Sequence, residues 1–272
     1  MKNNEMRIVK IQNIKMETSK VKTIFFEDEL CVSSAEPGQF LMVWIPGVDE
    51  IPLSVSSVSD RLVSVTVKEV GEATRALNMM RRGGLLGIRG PFGSYFRAAG
   101  KSALAVGGGI GIAPILMLVN KLLREGVKTT LIEGAKTRSE IIFKDQLMRL
   151  REEYGLEVIF TTDDGSYGVK GLATEAAEKS LSERRFDSLY ACGNETMICK
   201  LLSLAEKHGI QMQASLERIM RCAMGICGSC VIGKYRVCKD GPVFNSLQLK
   251  EIRGELGKIK RGFRGERIPV ED

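Results

Sequence analysis

Four of the seven cysteines of this 272-residue chain fall within one short stretch, at Cys222, Cys227, Cys230 and Cys238, and their spacing constrains the fold more than any other feature. The first three follow C-x4-C-x2-C, a spacing in which a glycine-rich loop wraps two irons and a later cysteine supplies the fourth thiolate. Gly225 and Gly228 provide the permissive backbone that lets amides turn toward the sulfurs. After Cys230, Val231-Ile232 and Arg236-Val237 flank Gly233-Lys234-Tyr235, which predicts a tight hairpin whose return strand carries Cys238 back to the others. A metal centre of this kind implies electron transfer. A four-cysteine zinc site is the plainer alternative, but such sites usually pair two C-x2-C knuckles, and only one occurs here. Disulfides fit less well still, because the cysteine count is odd and no signal peptide is legible after Met1; thiols in a reducing cytoplasm are the expectation.

The length exceeds one average domain, and 44% apolar residues suffice for more than one core. No apolar run approaches the ~18 residues of a spanning helix, so no membrane association is expected. The net charge of +7 comes without a concentrated basic and aromatic stretch, which argues for a solvated surface, an acidic partner or an acidic cofactor rather than nucleic acid. The single histidine, His208, stands where a helical pattern runs into Gly209, so histidine triads and multi-histidine metal sites are excluded.

Three zones and a tail follow one another. Residues 1–98 alternate apolar and polar positions in short runs broken by Pro37-Gly38 and Pro46-Gly47, the pattern of an antiparallel barrel, with one helix expected over 73–80. Residues 99–210 alternate strands (102–106, 129–132, 157–160, 188–191) with helices such as 114–124, the pattern of a doubly wound parallel sheet. Residues 211–247 form a small cysteine module, and 248–272 a charged tail expected to be a solvated extension. Between the first strand of the sheet and its first helix lie Gly107, Gly108, Gly109 and Gly111, where backbone amides and a helix N-terminus would face a pyrophosphate. The strict G-x-G-x-x-G pattern fails at Ile112 or Pro114, and a tight turn without ligand is the alternative; three consecutive glycines exceed what such a turn needs.

A barrel, a sheet opening with G-G-G-x-G-x-A-P, and Ala191-Cys-Gly-Asn-Glu-Thr-Met197 together resemble the ferredoxin-NADP reductase superfamily, which binds FAD on the barrel and a nicotinamide nucleotide on the sheet. With Ser215-Leu-Glu-Arg218 leading into Cys222 and Asp240-Gly-Pro-Val-Phe244 following Cys238, the chain closely resembles the electron-transfer subunits of class 1B dihydroorotate dehydrogenases from about residue 6 to residue 247. That resemblance implies FAD, a 2Fe-2S cluster on the four cysteines, and NAD as electron acceptor. It also implies an FMN-containing dihydroorotate dehydrogenase catalytic subunit as partner, in a cytoplasmic heterotetramer of two of each serving pyrimidine (UMP) biosynthesis. A second resemblance is to the small FAD and iron-sulfur subunit of NADH-dependent ferredoxin:NADP oxidoreductase or sulfide dehydrogenase. Members of that family tend to have aspartate as the first cluster ligand, so Cys222 favours the dihydroorotate assignment.

Carried over residue by residue, the flavin motif Arg-Pro-x-Ser becomes Ile51-Pro52-Leu53-Ser54. Isoleucine cannot pair with a phosphate as a guanidinium does; either Arg75 substitutes, or FAD is held through backbone and Ser54. Lys68, Glu69, Val70, Gly71, Ala73 and Thr74 resemble the family's second flavin segment, with Ala73 in place of a glycine. There Thr74 and the helix-start amides would meet the FAD pyrophosphate, unless they simply cap the helix. Gly90-Pro91-Phe92-Gly93 resembles a turn that closes the barrel. Gly107, Gly108, Gly109 and Gly111 match the nucleotide turn, and Cys192-Gly193 with Met197 matches the segment at the nicotinamide end; alternatively Cys192 is an inert buried cysteine. Thr162 to Gly171 also resembles the family, with no chemistry assigned beyond a turn. Cys31 and Cys199 are expected in the core. The interval from Cys230 to Cys238 is shorter than usual in the family.

Overall fold

The computed structural model describes residues 2–262 and 264–270; the parts of the first zone and of the tail that fall on Met1, Phe263, Glu271 and Asp272 lie outside the described residues. Period-two alternation in the first zone produces six strands: β1 (Arg7–Thr18), β2 (Val21–Glu27), β3 (Phe40–Ile45), β4 (Asp49–Ser59), β5 (Leu62–Lys68) and β6 (Leu85–Phe92). They close into a barrel in the order β1-β2-β5-β4-β3-β6, which removes sheet edges and buries Ile11, Ile24, Phe26, Val65 and Ile88 inside. Helix α1 (Glu29–Ser34) packs its buried Cys31 on that core, and Asp28 caps it by accepting from the Cys31 amide at 2.8 Å. Helix α2 (Glu72–Met79) occupies the expected position, displaced by one residue.

The second zone forms β7 (Ser102–Gly108), β8 (Lys128–Ala135), β9 (Glu157–Thr162), β10 (Val169–Lys170) and β11 (Ser188–Cys192), with helices α3 (Ile112–Arg124), α4 (Lys144–Tyr154), α5 (Ala173–Glu183) and α6 (Glu195–His208) between them. Helix α6 ends at His208 with Gly209 as its left-handed cap. The sheet order is β10-β9-β8-β7-β11-β12-β15, where β12 (Gln211–Ser215) runs parallel to β11 and β15 (Val243–Asn245) pairs antiparallel with β12. Strand order reverses between β7 and β11, the switch point at which open α/β sheets bind ligands.

The ends of the stretch 211–247 thus belong to the nucleotide sheet, and the cysteine segment is inserted between β12 and β15. It contains a hairpin of β13 (Val231–Ile232) and β14 (Tyr235–Arg236). Cys238 lies on a helical turn, α7 (Val237–Asp240), rather than on a return strand. The tail is not a solvated extension: helix α8 (Ser246–Glu251) and the residues after it bury Leu249, Ile252 and Leu256 against the nucleotide domain. A small ribbon of β16 (Ile259–Arg261) and β17 (Arg267–Pro269) follows. No helix among the described residues is long and apolar enough to cross a membrane.

The barrel and sheet are joined by packing as well as polar contacts. Phe96 meets Tyr190 edge-on at 6.0 Å, and Ser94 Oγ donates to the Val243 carbonyl at 2.8 Å. Lys121 pairs with Glu36 at 2.6 Å.

Candidate functional site

A cleft of about 340 Å³ opens where the barrel rests on the sheet. Strand β4 contributes Ile51, Pro52, Leu53 and Ser54, and β5 with the turn after it contributes Lys68 and Val70. The glycine turn adds Ile110, the start of α3 Ala113 and Pro114, β11 Cys192, the end of β12 Ser215, and the chain after it Glu217 and Arg218. Ile51, at the position of the missing arginine, packs on the barrel core. Arg75 does not replace it: its side chain is 62% exposed and turned to Glu69 at 3.4 Å. The cations lining the cleft are Lys68 and Arg218. Six barrel residues anticipated from the sequence therefore line the cleft: Pro52, Leu53, Ser54, Lys68, Val70 and Thr74. The other three sit behind it. Glu69 faces Arg75 and Asn78, Ala73 packs on the barrel core, and Gly71 caps α2. The Thr74 hydroxyl is engaged in that cap, accepting from the Val70 and Gly71 amides at 2.9 Å.

Cys192 is buried at the inner end of β11, and desolvation, reinforced by the nearby charge of Glu217, holds its thiol protonated. Glu217 lines the cleft with an exposed side chain, and partial desolvation by the protein around it pushes its carboxyl pKa up. Beside it, Arg218 and Glu195 form an ion pair with side chains only 3% and 7% exposed, and Arg218 Nη2 donates to Glu195 Oε2 at 3.1 Å. Burial lowers the Arg218 pKa to about 10, leaving it charged at neutral pH. Both residues stood inside motifs of the sequence, yet pairing across 23 positions left no local signal.

A second cleft, of about 530 Å³, lies at the carboxyl ends of β7, β8 and β11 and is lined by Gly108, Gly109, Lys136, Glu140, Asp163, Asn194 and Lys200 among others. Lys68 lines both clefts and joins Glu140 at 3.0 Å. The four turn glycines divide by task. At Gly111 a Cβ would stand 2.4 Å from the Cys192 carbonyl oxygen, and at Gly107 one would stand 2.8 Å from Ile112 Cα, so packing alone requires both. Gly108 and Gly109 border the cleft, and Gly109 has φ +54 with open space beside it. Gly193 packs on Met197 and Gly108, placing it at the same turn. Asp163, from the segment assigned only a turn, also lines this cleft.

The four cysteines associate in pairs. Cys222 lies beside Cys227, and partial burial of its sulfur is outweighed by the amides of Cys227, Ile226 and Met224, which draw its pKa down to about 6. Met224 and Ile226 donate at 3.4 and 3.5 Å. Cys230 lies beside Cys238, whose thiol donates to it and whose amide points at its sulfur from 3.4 Å; Cys230 is thereby held as thiolate, at about 6, while the Cys238 proton is held more tightly. Among the described residues no three His, Cys, Asp or Glu side chains are arranged to hold a single ion. Two thiol pairs suit a two-iron group, two sulfurs to each iron, and inward amides stabilise the charge such a group carries. The donor set fits.

The iron-sulfur cluster binding domain of dihydroorotate dehydrogenase B matches residues 217–250, and the oxidoreductase NAD-binding domain matches residues 105–201. A probable dihydroorotate dehydrogenase B (NAD+) electron transfer subunit of Methanocaldococcus jannaschii is 41% identical over 96% of this chain and 97% of its own. The chain belongs to the family of dihydroorotate dehydrogenase B (NAD+) electron transfer subunits. A second member, from Pyrococcus furiosus, is 43% identical over 86% of this chain and 88% of its own. This family member is therefore an oxidoreductase component with an iron-sulfur-binding segment and a nicotinamide-nucleotide-binding domain. Its architecture resembles the solved NADH-dependent reduced ferredoxin-NADP oxidoreductase, with TM-score 0.79, 27% identity and coverage of 92% of this chain and 94% of that one. It also shares its fold with the FAD/NAD binding domain of a Vibrio cholerae nitric oxide dioxygenase, with TM-score 0.65, 17% identity and coverage of 75% and 94%.

Proposed function

We propose that this chain is the electron-transfer subunit of a dihydroorotate dehydrogenase, taking electrons from the FMN of a separate catalytic subunit and delivering them to NAD. The two assemble as two of each in the cytoplasm, within pyrimidine biosynthesis. FAD would occupy the barrel–sheet cleft, NAD the second cleft, and a 2Fe-2S cluster the sulfurs of Cys222, Cys227, Cys230 and Cys238. The observation that carries this reading is continuity: residues 215–218 form one wall of the first cleft, and four residues later the same chain begins the cysteine loop.

In the first cleft, Pro52, Leu53 and Val70 offer apolar walls and Ser54 a hydroxyl. Lys68, shared between the clefts, replaces the missing arginine as a cation for phosphate. In the second, the backbone of the Gly108–Gly109 turn would face a pyrophosphate. Cys192, at the inner end of the first cleft, stays a neutral thiol. Bound flavin would exchange a hydride with NAD and the cluster would exchange single electrons with flavin, joining two-electron to one-electron chemistry. The residues themselves bind, orient and exclude water.

No set of side chains here is assigned to dihydroorotate, so its oxidation is expected to need the partner. The purified chain should reduce artificial acceptors from NADH, and dihydroorotate-dependent NAD reduction should require the copurifying flavoprotein; robust dihydroorotate oxidation by the chain alone would refute the proposal. The likeness to the ferredoxin-NADP oxidoreductase favours a second reading, as the small subunit of such an enzyme. A copurifying partner that resembles glutamate synthase would select it.

A further inference from the structure

Among the described residues Arg218 is a cation with an unusual placement. It lines the first cleft, its side chain is 3% exposed, and it precedes the first cysteine by four residues. Its guanidinium grips Glu195 through both terminal nitrogens, donates to the Glu217 carbonyl at 2.9 Å and reaches the Ile259 carbonyl at 3.4 Å. Nε is buried without a partner among the described residues. Glu195 is held in turn by the Gly257 amide at 2.7 Å. The pair therefore joins the start of α6, the entry to the cysteine loop and the C-terminal segment.

Burying two charges carries a desolvation cost that apolar residues of the same volume would spare, so simple packing does not account for the pair. Of the two, Arg218 is the member that lines the cleft, on the segment that enters the cysteine loop four residues later, and the charges of Glu255 and then of the Cys230 sulfur favour its guanidinium. A bidentate guanidinium is fixed in place, as a flexible ammonium would not be.

We propose that Arg218 is a positioning residue for electron transfer, a fixed positive charge between the flavin cleft and the cysteine loop that raises the reduction potential of the cluster, with Glu195 setting its place and balancing its charge. This rests on the reading that Cys222, Cys227, Cys230 and Cys238 hold a 2Fe-2S cluster. Each electron that enters such a group adds one negative charge and breaks no bond. A nearby cation, poorly screened in a buried setting, stabilises that added charge.

The test is a redox titration of the complete complex, following the cluster by electron paramagnetic resonance, for the wild type, Arg218→Gln, Arg218→Lys and Glu195→Gln. Arg218→Gln should shift the midpoint to more negative potential and Glu195→Gln to more positive, while Arg218→Lys should stay nearer the wild type than Arg218→Gln. If Arg218→Gln does not fold, the sign of the shift in Glu195→Gln still decides. An intact cluster signal with unmoved midpoints, or with both neutral variants shifted in the same direction, would overturn the proposal. Absence of any 2Fe-2S signal in the wild type would instead sink the reading on which it rests.

Discussion

Glu133 shows how a single side chain acts beyond what its place in the sequence suggests. It lies on β8 and is 1% exposed; one carboxyl oxygen accepts from the Ile142 amide at 2.9 Å, and the other is buried without a partner among the described residues. Desolvation pushes its pKa from 4.5 up to about 8. Between those values the folded chain binds more protons than the unfolded one, so stability falls as pH rises through the window. Glu133→Gln should remove that slope, stabilising the protein at pH 8 by on the order of a few kcal/mol and much less at pH 5. Urea unfolding at the two pH values measures it; equal slopes in wild type and variant would count against it. Arg218 and Glu195 belong to the same class, since their pairing follows from three-dimensional approach. By contrast the grouping of the four cysteines was legible from their spacing, and the place of Ser54 in the cleft from the resemblance of Pro52-Leu53-Ser54 to a family motif.

At the scale of elements, the hairpin after Cys230 was legible from its flanking β-branched residues, and its end was not. Arg236 folds back on Asp240, Nε to Oδ2 at 3.1 Å, and starts the helical turn that carries Cys238. A helix rises about 1.5 Å per residue against roughly 3.3 Å for a strand, so the turn keeps Cys238 beside Cys230 within the short interval. The cysteine loop also depends on Gly225, which has φ +75 and where a Cβ would stand 2.6 Å from Lys239 Cδ. Gly225→Val should therefore lower cluster content per chain several-fold while leaving the flavin spectrum and the fold intact. Iron analysis and visible absorption check this, and full iron content in the variant would contradict the loop geometry.

For the molecule as a whole, the C-terminal segment that composition marks as a charged tail completes the nucleotide domain. Leu256 is 1% exposed in its core, so Leu256→Ala should destabilise the protein by about 2–5 kcal/mol, seen as a lower midpoint in chemical denaturation; an unchanged midpoint would return the segment to the status of an appendage. Sequence by itself determined the barrel, the parallel sheet, the glycine turn between the first sheet strand and its helix, and the clustering of the four cysteines. Those are set by period-two alternation, strand–helix alternation, glycine placement and residue spacing, all short-range properties of the chain. Tertiary structure alone decided that Arg218, and not Arg75, lines the first cleft beside Lys68, that the cysteine loop is an insertion in the sheet, and that the tail is core. Each of these depends on approaches between distant residues, such as Ser94 with Val243 across 149 positions. Such approaches are selected by burial and packing of the assembled molecule, and no local propensity encodes them.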